Sequence, residues 1–315
     1  MLTTTAEHTT PMQHNKRLAA IDLGSNSFRL ELGRIEHGQF YRSHYLKETV
    51  RQGNGLDDQG HLTLQAMQLG WDCLTRFGEQ LTGFNACEVR AVATQTLREA
   101  QNREAFLEPA TERLGFPIEV ISGEEEARLI YLGVAQALPN NNERRMVIDI
   151  GGRSTELILG QGRNPQRLAS FHLGSIAWSM RYFADGEFSA HGFQNAEHAT
   201  RLVVANALPN FTPDLWDVAY GSAGTVNAVA DVLVACGWPA GSVTQEGLDW
   251  LLGQLLAAQT IGRVQLPGLR DDRRPIIGGG LSVLRGLFGS LGICRLEQAT
   301  GGLRHGLLQD MLQHQ

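Results

Sequence analysis

The stretch AAIDLGSNSFRLELG, at residues 19–33, occurs again in altered form as MVIDIGGRSTELILG, at residues 146–160. Seven of the fifteen aligned pairs are identical. Each copy has an apolar run that ends in an aspartate, then a turn of small residues, then a second apolar run, which is the pattern of a tight β-hairpin. The repeat therefore predicts two lobes of related design, each built on one such hairpin.

The segments around the two hairpins predict an α/β architecture. Residues 39–47 and 166–172 alternate well enough to add a third antiparallel strand to each hairpin. Helices are predicted at 63–81, 102–114, 123–137, 175–183, 197–207, 247–258, 281–287 and 303–312, and further strands at 87–93, 118–121, 217–220 and 294–296. Strands that alternate with helices in this way form layered α/β domains, and two such lobes enclose a cleft.

The predicted domain limits follow from composition. Residues 1–15 are polar and Thr-rich and are predicted to be a disordered tail. The first domain is predicted at 16–138 and the second at 139–302, because the polar segment PNNNE at 139–143 is the clearest linker. The C-terminal helix at 303–315 is a candidate for completing the first domain.

Charge and hydropathy exclude several classes of partner. The net charge of −6 argues against broad binding of nucleic acid or an anionic membrane. No apolar run has the length of a signal peptide or a membrane-spanning helix. The four cysteines lie far apart, without the spacing of a zinc site or a disulfide framework. We therefore expect a cytoplasmic protein that binds any polyanion locally.

The two hairpin turns are candidate phosphate sites. Small residues let backbone N–H groups approach an anion closely, and hydroxyl side chains add donors. Gly-rich segments at 221–225 and 276–280 repeat the pattern of a strand, a turn and an apolar helix, although tight packing is as good an interpretation of each. The phosphate-binding candidates are Gly24, Ser25, Asn26, Ser27, Gly151, Gly152, Arg153, Ser154, Thr155 and Gly224.

Carboxylates at the turns are candidate metal ligands. Asp22, Asp149 and Glu156 lie at the turns, and hard oxygen ligands suit Mg²⁺, which takes one or two carboxylates with water and phosphate oxygens. A Walker A loop is absent, because neither Lys16 nor Lys47 follows a suitable glycine loop.

The helix predicted at 123–137 opens with three glutamates. Ser122 and Glu125 fit a capping box, which gives Glu125 a structural role. Glu126 lies one residue beyond the box, so capping does not explain it. Arg98 follows a strand and is a candidate for the same cleft, with a free surface arginine as the alternative.

Four segments resemble the exopolyphosphatase and guanosine pentaphosphate phosphohydrolase family: 20–27, 94–98, 121–128 and 147–156. Residues 221–225 and 301–306 are similar to two further family signatures. The resemblance implies two duplicated ribonuclease-H-like domains, as in actin and sugar kinases, with an interdomain cleft. It also implies a homodimer. By resemblance Glu126 activates the attacking water, Asp149 holds Mg²⁺, Glu156 is a further acidic site residue, and Asn26, Arg98, Gly151, Gly152 and Ser154 bind phosphate.

Arg153 departs from this resemblance, because the family's second turn has a third glycine there. Its side chain either enters the cleft and binds phosphate or points outward, and a positive φ at this residue would cost about 1 kcal/mol or more. A second departure is that the sequence stops before the C-terminal helical region of some members, which puts strong processivity in doubt.

The predicted function is Mg²⁺-dependent hydrolysis of terminal phosphoanhydride bonds, with release of orthophosphate from inorganic polyphosphate. The alternative substrate is guanosine pentaphosphate, for which the sequence shows no guanine-reading site. Two other classes stay open: a sugar or acetate kinase, and a non-catalytic sensor that binds polyphosphate or an alarmone.

Overall fold

The computed structural model describes residues 16–37 and 39–314, and the tail predicted at 1–15 lies outside them. The first sheet consists of β1 (Lys16–Leu23), β2 (Phe28–Glu36), β3 (Gln39–Glu48), β4 (Val89–Ala93) and β5 (Ile118–Val120). In the order β3-β2-β1-β4-β5, the first three strands are antiparallel, and β4 and β5 continue in parallel from β1. Its helices are α1 (Leu64–Gln80), α2 (Gln95–Glu99), α3 (Arg103–Leu114) and α4 (Gly123–Ala137).

The second sheet repeats this design. It consists of β6 (Arg144–Ile150), β7 (Thr155–Gln161), β8 (Asn164–Phe171), β9 (Val218–Ser222), β10 (Ser242–Thr244) and β11 (Arg295–Gln298), in the order β10-β11-β9-β6-β7-β8. As in the first sheet, the first strand of the hairpin is paired on one side with its antiparallel partner and on the other with a parallel strand. The predicted duplication of the hairpin is confirmed. The remaining helices are α5 (Ser175–Tyr182), α6 (Ala190–Val204), α7 (Ala223–Ala235), α8 (Gln245–Ala258), α9 (Ile277–Leu291) and α10 (Leu303–Gln313).

Helix α4 lies between the two sheets. Its Ile130 and Val134 pack with Val147 of β6, whereas Leu129 packs with Leu18 of β1. Helix α10 returns to the first sheet, because Leu307 and Leu308 share the cluster of Leu18, Ala20 and Val92. A helix that packs on both sheets belongs to neither lobe alone, so the domain boundary at 138–139 stays a prediction.

Helices α4 and α10 cross in backbone contact. A Cβ atom at Gly306 would lie 1.8 Å from the carbonyl oxygen of Leu129, and one at Gly133 would lie 2.1 Å from that of Gly302. Only glycine permits an approach this close. The start of α4, which carries Glu126, is thereby fixed relative to the segment that leads into α10.

The structure corrects two predictions of local structure and adds two elements that were not predicted. Residues 278–280 do not form a turn after a strand: they lie inside α9, where a Cβ at Gly279 would come within 2.4 Å of the Ser179 nitrogen of α5. Their glycines permit helix packing and not anion binding.

Helix α6 was predicted at 197–207 but begins at Ala190, after Ser189, whose hydroxyl accepts a hydrogen bond from the Gly192 N–H. Strand β10 and helix α2 were not predicted, because three and five residues are too few to show a period.

No helix in the described parts of the chain combines the length and apolar character that crossing a bilayer requires.

Candidate active site

A cleft with a volume of about 610 Å³ lies between the two sheets. Both hairpin turns, the start of α4, the start of α7 and the segment 299–305 contribute to its walls. Eleven of the predicted site residues line it: Asp22, Gly24, Ser25, Asn26, Ser27, Glu126, Asp149, Gly151, Gly152, Ser154 and Gly224. Arg98, Arg153, Thr155 and Glu156 lie around it without lining it.

Each hairpin turn is held through its carbonyl groups. In the first turn, the carbonyl oxygens of Ser25 and Asn26 accept hydrogen bonds from the N–H groups of Gly53 (2.8 Å) and Arg51 (2.9 Å). In the second, the carbonyl oxygens of Gly151 and Gly152 accept bonds from the first residues of α5 (3.0 and 2.8 Å). The Gly151 N–H donates to the carbonyl oxygen of Ser154 at 2.9 Å, within the second turn. The other backbone donors of a turn that is fixed through its acceptors suit the binding of an anion.

The two turns approach each other across the cleft. A Cβ atom at Gly152 would lie 3.0 Å from Cβ of Ser25 and 2.9 Å from Cδ1 of Ile176. A side chain at Gly152 would therefore push the lobes apart. This glycine is required for close approach and not for a left-handed backbone, since the residues with positive φ lie elsewhere.

Asp22 and Asp149, the last acidic residues of β1 and β6, differ in their surroundings. Oδ2 of Asp22 lies 2.9 Å from Nη1 of Arg29 and is neutralised there. Burial raises the pKa of Asp149 to about 6, against the opposing effects of the Ser222 hydroxyl and of Arg29. Asp149 is therefore the carboxylate of this pair that a cation would stabilise more.

Glu126 and Arg98 form an ion pair at the edge of the cleft. Nη1 of Arg98 lies 2.7 Å from Oε2 of Glu126 and also donates to the carbonyl oxygen of Ile121, at 3.0 Å. Burial raises the pKa of Glu126 to about 7, although Arg98 lowers it. A carboxylate that titrates near neutral pH suits a general base. Arg98 contacts this base and not the open cleft.

Glu125, next to Glu126, forms only half of the predicted capping box. Its N–H donates to Oγ of Ser122 at 3.1 Å. Its carboxylate, however, pairs with Arg128 at 2.7 Å and with Arg90 at 3.4 Å. Glu125 thus stabilises the helix and does not line the cleft, as its predicted structural role requires.

Glu156 and Thr155 lie behind the second turn. Glu156 is 1% exposed, and its Oε1 accepts a hydrogen bond of 2.8 Å from Ser170. Among the described residues its Oε2 has no hydrogen-bond partner. Burial raises the pKa of Glu156 well above the usual range, and the charges of Glu126 and Asp149 add to this effect. The Thr155 hydroxyl donates to the carbonyl oxygen of Leu173 at 2.6 Å, so it holds the backbone.

Arg153 follows neither of its two predicted directions. Its guanidinium crosses to the first lobe, where Nη2 lies 2.7 Å from Oε2 of Glu99 and Nη1 donates to the carbonyl oxygen of Gly53 at 3.0 Å. Arg153 is not among the described non-glycine residues with positive φ, so the backbone strain considered for it does not arise.

Sequence reasoning missed most of the positive charge of the cleft. Arg29 and Lys47 of the first sheet, Arg270 and Arg273 of the loop before α9, and Arg304 of α10 all line it. The motif at 301–306 marked the position of Arg304. The charged run at 270–274 was a signal for the two loop arginines, but nothing local showed that this loop folds over the cleft.

Arg273 is the most buried of these cations, at 8% exposed. It lies directly on Gly224, where a Cβ would come within 2.1 Å of Nη2 of Arg273. Its nearest described carboxylate, Asp272, is 4.0 Å from Nε. Ala223 has a φ of 67°, a strained value for a residue with a side chain, at the junction of β9 and α7. The third predicted turn thus presents a cation and a strained backbone to the cleft.

Mg²⁺ fits the oxygen donors of this site. No three histidine, cysteine or acidic side chains in the described ranges converge on a ready-made metal position. Mg²⁺ does not need such a cage, because it takes one or two carboxylates and completes its shell with water and substrate phosphates. Asp149 supplies a carboxylate at the cleft, and the unpaired Oε2 of Glu156 lies behind it.

The sequence model of the Ppx/GppA phosphatase family matches residues 33–315. The chain belongs to that family. The family resemblance of the sequence motifs is thereby confirmed on most of the chain, including the second turn, α4 and the loop that carries Arg273.

Two curated proteins illustrate the similarity at the level of sequence. Proteins named guanosine-5'-triphosphate,3'-diphosphate pyrophosphatase from Vibrio parahaemolyticus and Vibrio atlanticus are both 40% identical over 294 residues, which are 93% of this chain. The chain spans 59% of the length of these relatives.

The solved structures of Ppx/GppA proteins show the fold. An exopolyphosphatase from Cytophaga hutchinsonii has a TM-score of 0.85 at 23% identity, over 95% of this chain and 98% of that one. The Aquifex aeolicus PPX-GPPA enzyme has a TM-score of 0.75 at 24% identity, over 93% and 99%. The predicted fold class, two duplicated ribonuclease-H-like domains of the actin and sugar-kinase type with a cleft between them, is confirmed.

Proposed function

We propose that this protein hydrolyses the terminal phosphoanhydride bond of inorganic polyphosphate and releases orthophosphate, with Mg²⁺ as cofactor. One observation carries the proposal: Glu126, a buried carboxylate with a pKa of about 7, lies in a cleft that is walled by two anion-binding turns and five cations. A general base beside a polyanion site is the arrangement that hydrolysis of a phosphate chain requires.

The terminal phosphoryl group binds between the two turns, with its oxygens on the N–H and hydroxyl donors of 24–27 and 152–154. Glu126 accepts a proton from a water molecule as the water oxygen attacks the terminal phosphorus. The bond from this phosphorus to the bridging oxygen breaks, and the shortened chain leaves with the electron pair. Catalysis of this kind is mainly positioning and charge stabilisation.

The remaining residues support this step. Arg98 holds Glu126 in place through the 2.7 Å ion pair. Mg²⁺, bound at Asp149 and Glu156, would neutralise phosphate oxygens of the substrate. Arg29, Lys47, Arg270, Arg273 and Arg304 offer positive charge to the phosphates farther along the chain.

Guanosine pentaphosphate is a second candidate substrate, favoured by the name of the Vibrio relatives at 40% identity. The cleft also contains Asn227 and Gln298, whose amide groups are hydrogen-bonded at 3.1 Å. Amide side chains of this kind can exchange hydrogen bonds with a base. A nucleotide would then lie with its terminal phosphate at the turns.

In the test, purified protein is incubated with Mg²⁺ and, in parallel reactions, with long polyphosphate, tripolyphosphate or guanosine pentaphosphate. The phosphate released in each reaction is measured. Faster release from polyphosphate supports the main proposal, and faster release from the nucleotide supports the second. Turnover that depends on an added sugar or acetate would indicate a kinase instead. Tight binding of either polyanion without turnover would indicate a sensor.

A homodimer, which the family resemblance implies, and the cytoplasmic location expected from the sequence are further proposals. Light scattering coupled to size-exclusion chromatography tests the first, and cell fractionation tests the second. A monomer at micromolar concentration, or protein found only in the membrane or secreted fraction, would contradict them.

A further inference from the structure

A continuous chain of hydrogen bonds links the second hairpin turn to Glu126. Nε of Arg153 donates to Oε2 of Glu99 at 2.8 Å, and Oε1 of Glu99 accepts a bond of 2.8 Å from Nε2 of Gln95. Oε1 of Gln95 in turn accepts from Nε and Nη2 of Arg98, at 3.0 and 2.6 Å. Arg98 then reaches Glu126 at 2.7 Å. Every link is a side-chain contact at normal hydrogen-bond distance.

This chain of hydrogen bonds crosses from the second lobe to the first. Arg153 belongs to the turn between β6 and β7, whereas Glu99, Gln95 and Arg98 lie on α2 of the first lobe. Arg153 and Glu99 side chains are each 18% exposed, so water screens their attraction only partly. The carbonyl oxygen of Gly53 holds the same guanidinium at 3.0 Å. We call the contact of Arg153 with Glu99 and Gly53 the interlobe clasp.

Helix α2 depends on such external contacts. It has five residues, about one turn, which is too short to be stable by itself. Its N-cap residue Thr94 makes no side-chain capping bond. His172, at the end of β8, adds a second contact from the other lobe, with Nδ1 at 3.3 Å from Oε1 of Glu99. Leu97 anchors α2 in the core of the first lobe, and Arg153 and His172 hold its Glu99 from the other lobe.

We propose that Arg153 is a positioning residue: through the interlobe clasp it fixes Glu99 and Gln95 on α2 and so aligns Arg98 against Glu126. The inference rests on the proposed hydrolytic function. It makes alignment of Glu126 depend on the approach of the two lobes, because the clasp spans them. Arg153 acts through Glu99, Gln95 and Arg98 and does not touch the phosphate.

The experiment compares wild type with Arg153→Gly, Arg153→Lys, Glu99→Gln and the Arg153→Gly/Glu99→Gln double variant. Arg285→Gln is the matched control, because Arg285 forms an ion pair of similar burial with Glu197 inside the second lobe. Three quantities are measured: kcat, KM for tripolyphosphate, and hydrogen exchange of the amides of 95–99 in the free protein.

We expect Arg153→Gly and Glu99→Gln each to lower kcat by about tenfold, with KM within about twofold, because misalignment of a base affects the reacting geometry more than binding. The kcat of the double variant should be no lower than that of either single variant, since each substitution removes the same contact between Arg153 and Glu99. Arg153→Lys should recover part of kcat. Hydrogen exchange of the amides of 95–99 should become faster in Arg153→Gly and in Glu99→Gln, and should not change in Arg285→Gln.

An unchanged kcat in Arg153→Gly, additive losses in the double variant, or unchanged exchange at 95–99 would overturn the inference. Failure of the proposed function is a separate result. If wild type releases no phosphate from any substrate, the hydrolytic role fails, and the exchange data alone decide whether the clasp fixes α2.

Discussion

Oε2 of Glu126 lies 2.7 Å from Nη1 of Arg98, in a buried ion pair that forms where the first lobe meets α4. Arg98 lies on α2, which follows β4, and Glu126 lies on α4, which follows β5. Parallel strands end at the same edge of a sheet, and this topology brings together residues that are far apart in the sequence.

Glu126→Gln removes the proposed base and keeps the shape of the side chain. We expect kcat to fall by about 10² to 10⁴, the usual contribution of general base catalysis, with little change in KM. Glu124→Gln in the same helical turn is the control and should keep full activity. Phosphate release near the wild-type rate, in a folded Glu126→Gln protein, would exclude this role.

The lowered pKa of Lys47 predicts a loss of substrate affinity at alkaline pH. Burial and the neighbouring charge of Arg273 lower the pKa of Lys47 to about 8, although Asp272 opposes them. Lys47 is cationic below that pH and neutral above it, so kcat/KM for a polyanion should fall several-fold between pH 7.5 and 9. Lys47→Arg should move this fall to higher pH, whereas Lys16→Arg, which changes the only other lysine, should not. Identical pH profiles for all three proteins would contradict the assignment.

Arg273→Gln removes the buried cation that rests on Gly224. We expect KM for polyphosphate to rise by about 10-fold, the equivalent of one charge-assisted hydrogen bond, with kcat less affected. Burial and the charge of Arg29 lower the pKa of Arg273, so its charge does not stabilise the free protein, and the melting temperature should not fall. Arg274→Gln is the control, because Arg274 pairs with Asp271 and does not line the cleft. Equal KM values for both variants would count against a substrate contact.

Glu156→Gln should make the protein more stable and less active. The folded-state pKa of Glu156 lies well above its usual 4.5, so protonation stabilises the folded protein at acid pH, and that stability is lost as pH rises above 4.5. A neutral glutamine avoids this loss. At pH 7.5 the variant should melt several degrees higher, at about 2–4 °C per kcal/mol, and the difference should shrink at pH 4.5.

The effect of Mg²⁺ on the melting temperature tests the role of Glu156 in a second way. A cation bound at Asp149 and Glu156 stabilises the charged wild-type site, so millimolar Mg²⁺ should raise the melting temperature of wild type more than that of Glu156→Gln. Addition of EDTA should restore the original difference. An equal response of both proteins would show that Glu156 is not a ligand.

The sequence predicted what local pattern determines. The hairpins and the bounds of α4 follow from strand alternation, helical period and capping, and all of these act over a few residues. The role of Glu126, in contrast, was predicted from the family resemblance. The direction of Arg153 depends on the distance between two lobes, which no local pattern contains. Arg273 lies in a loop without a period. Thr155 and Glu156 occupy adjacent strand positions, whose side chains alternate between faces, so they could not both have faced the phosphate.

Backbone contact between Gly306 of α10 and Leu129 of α4 has a consequence for biosynthesis. The ribosome makes α4, with Glu126, long before it makes α10. Until α10 has emerged, the apolar face of α4 that meets Leu307 and Leu308 is uncovered. A nascent chain that ends before residue 303 therefore contains both turns and Glu126 but lacks the support that holds Glu126 in place, so we expect it to stay inactive and to bind chaperones.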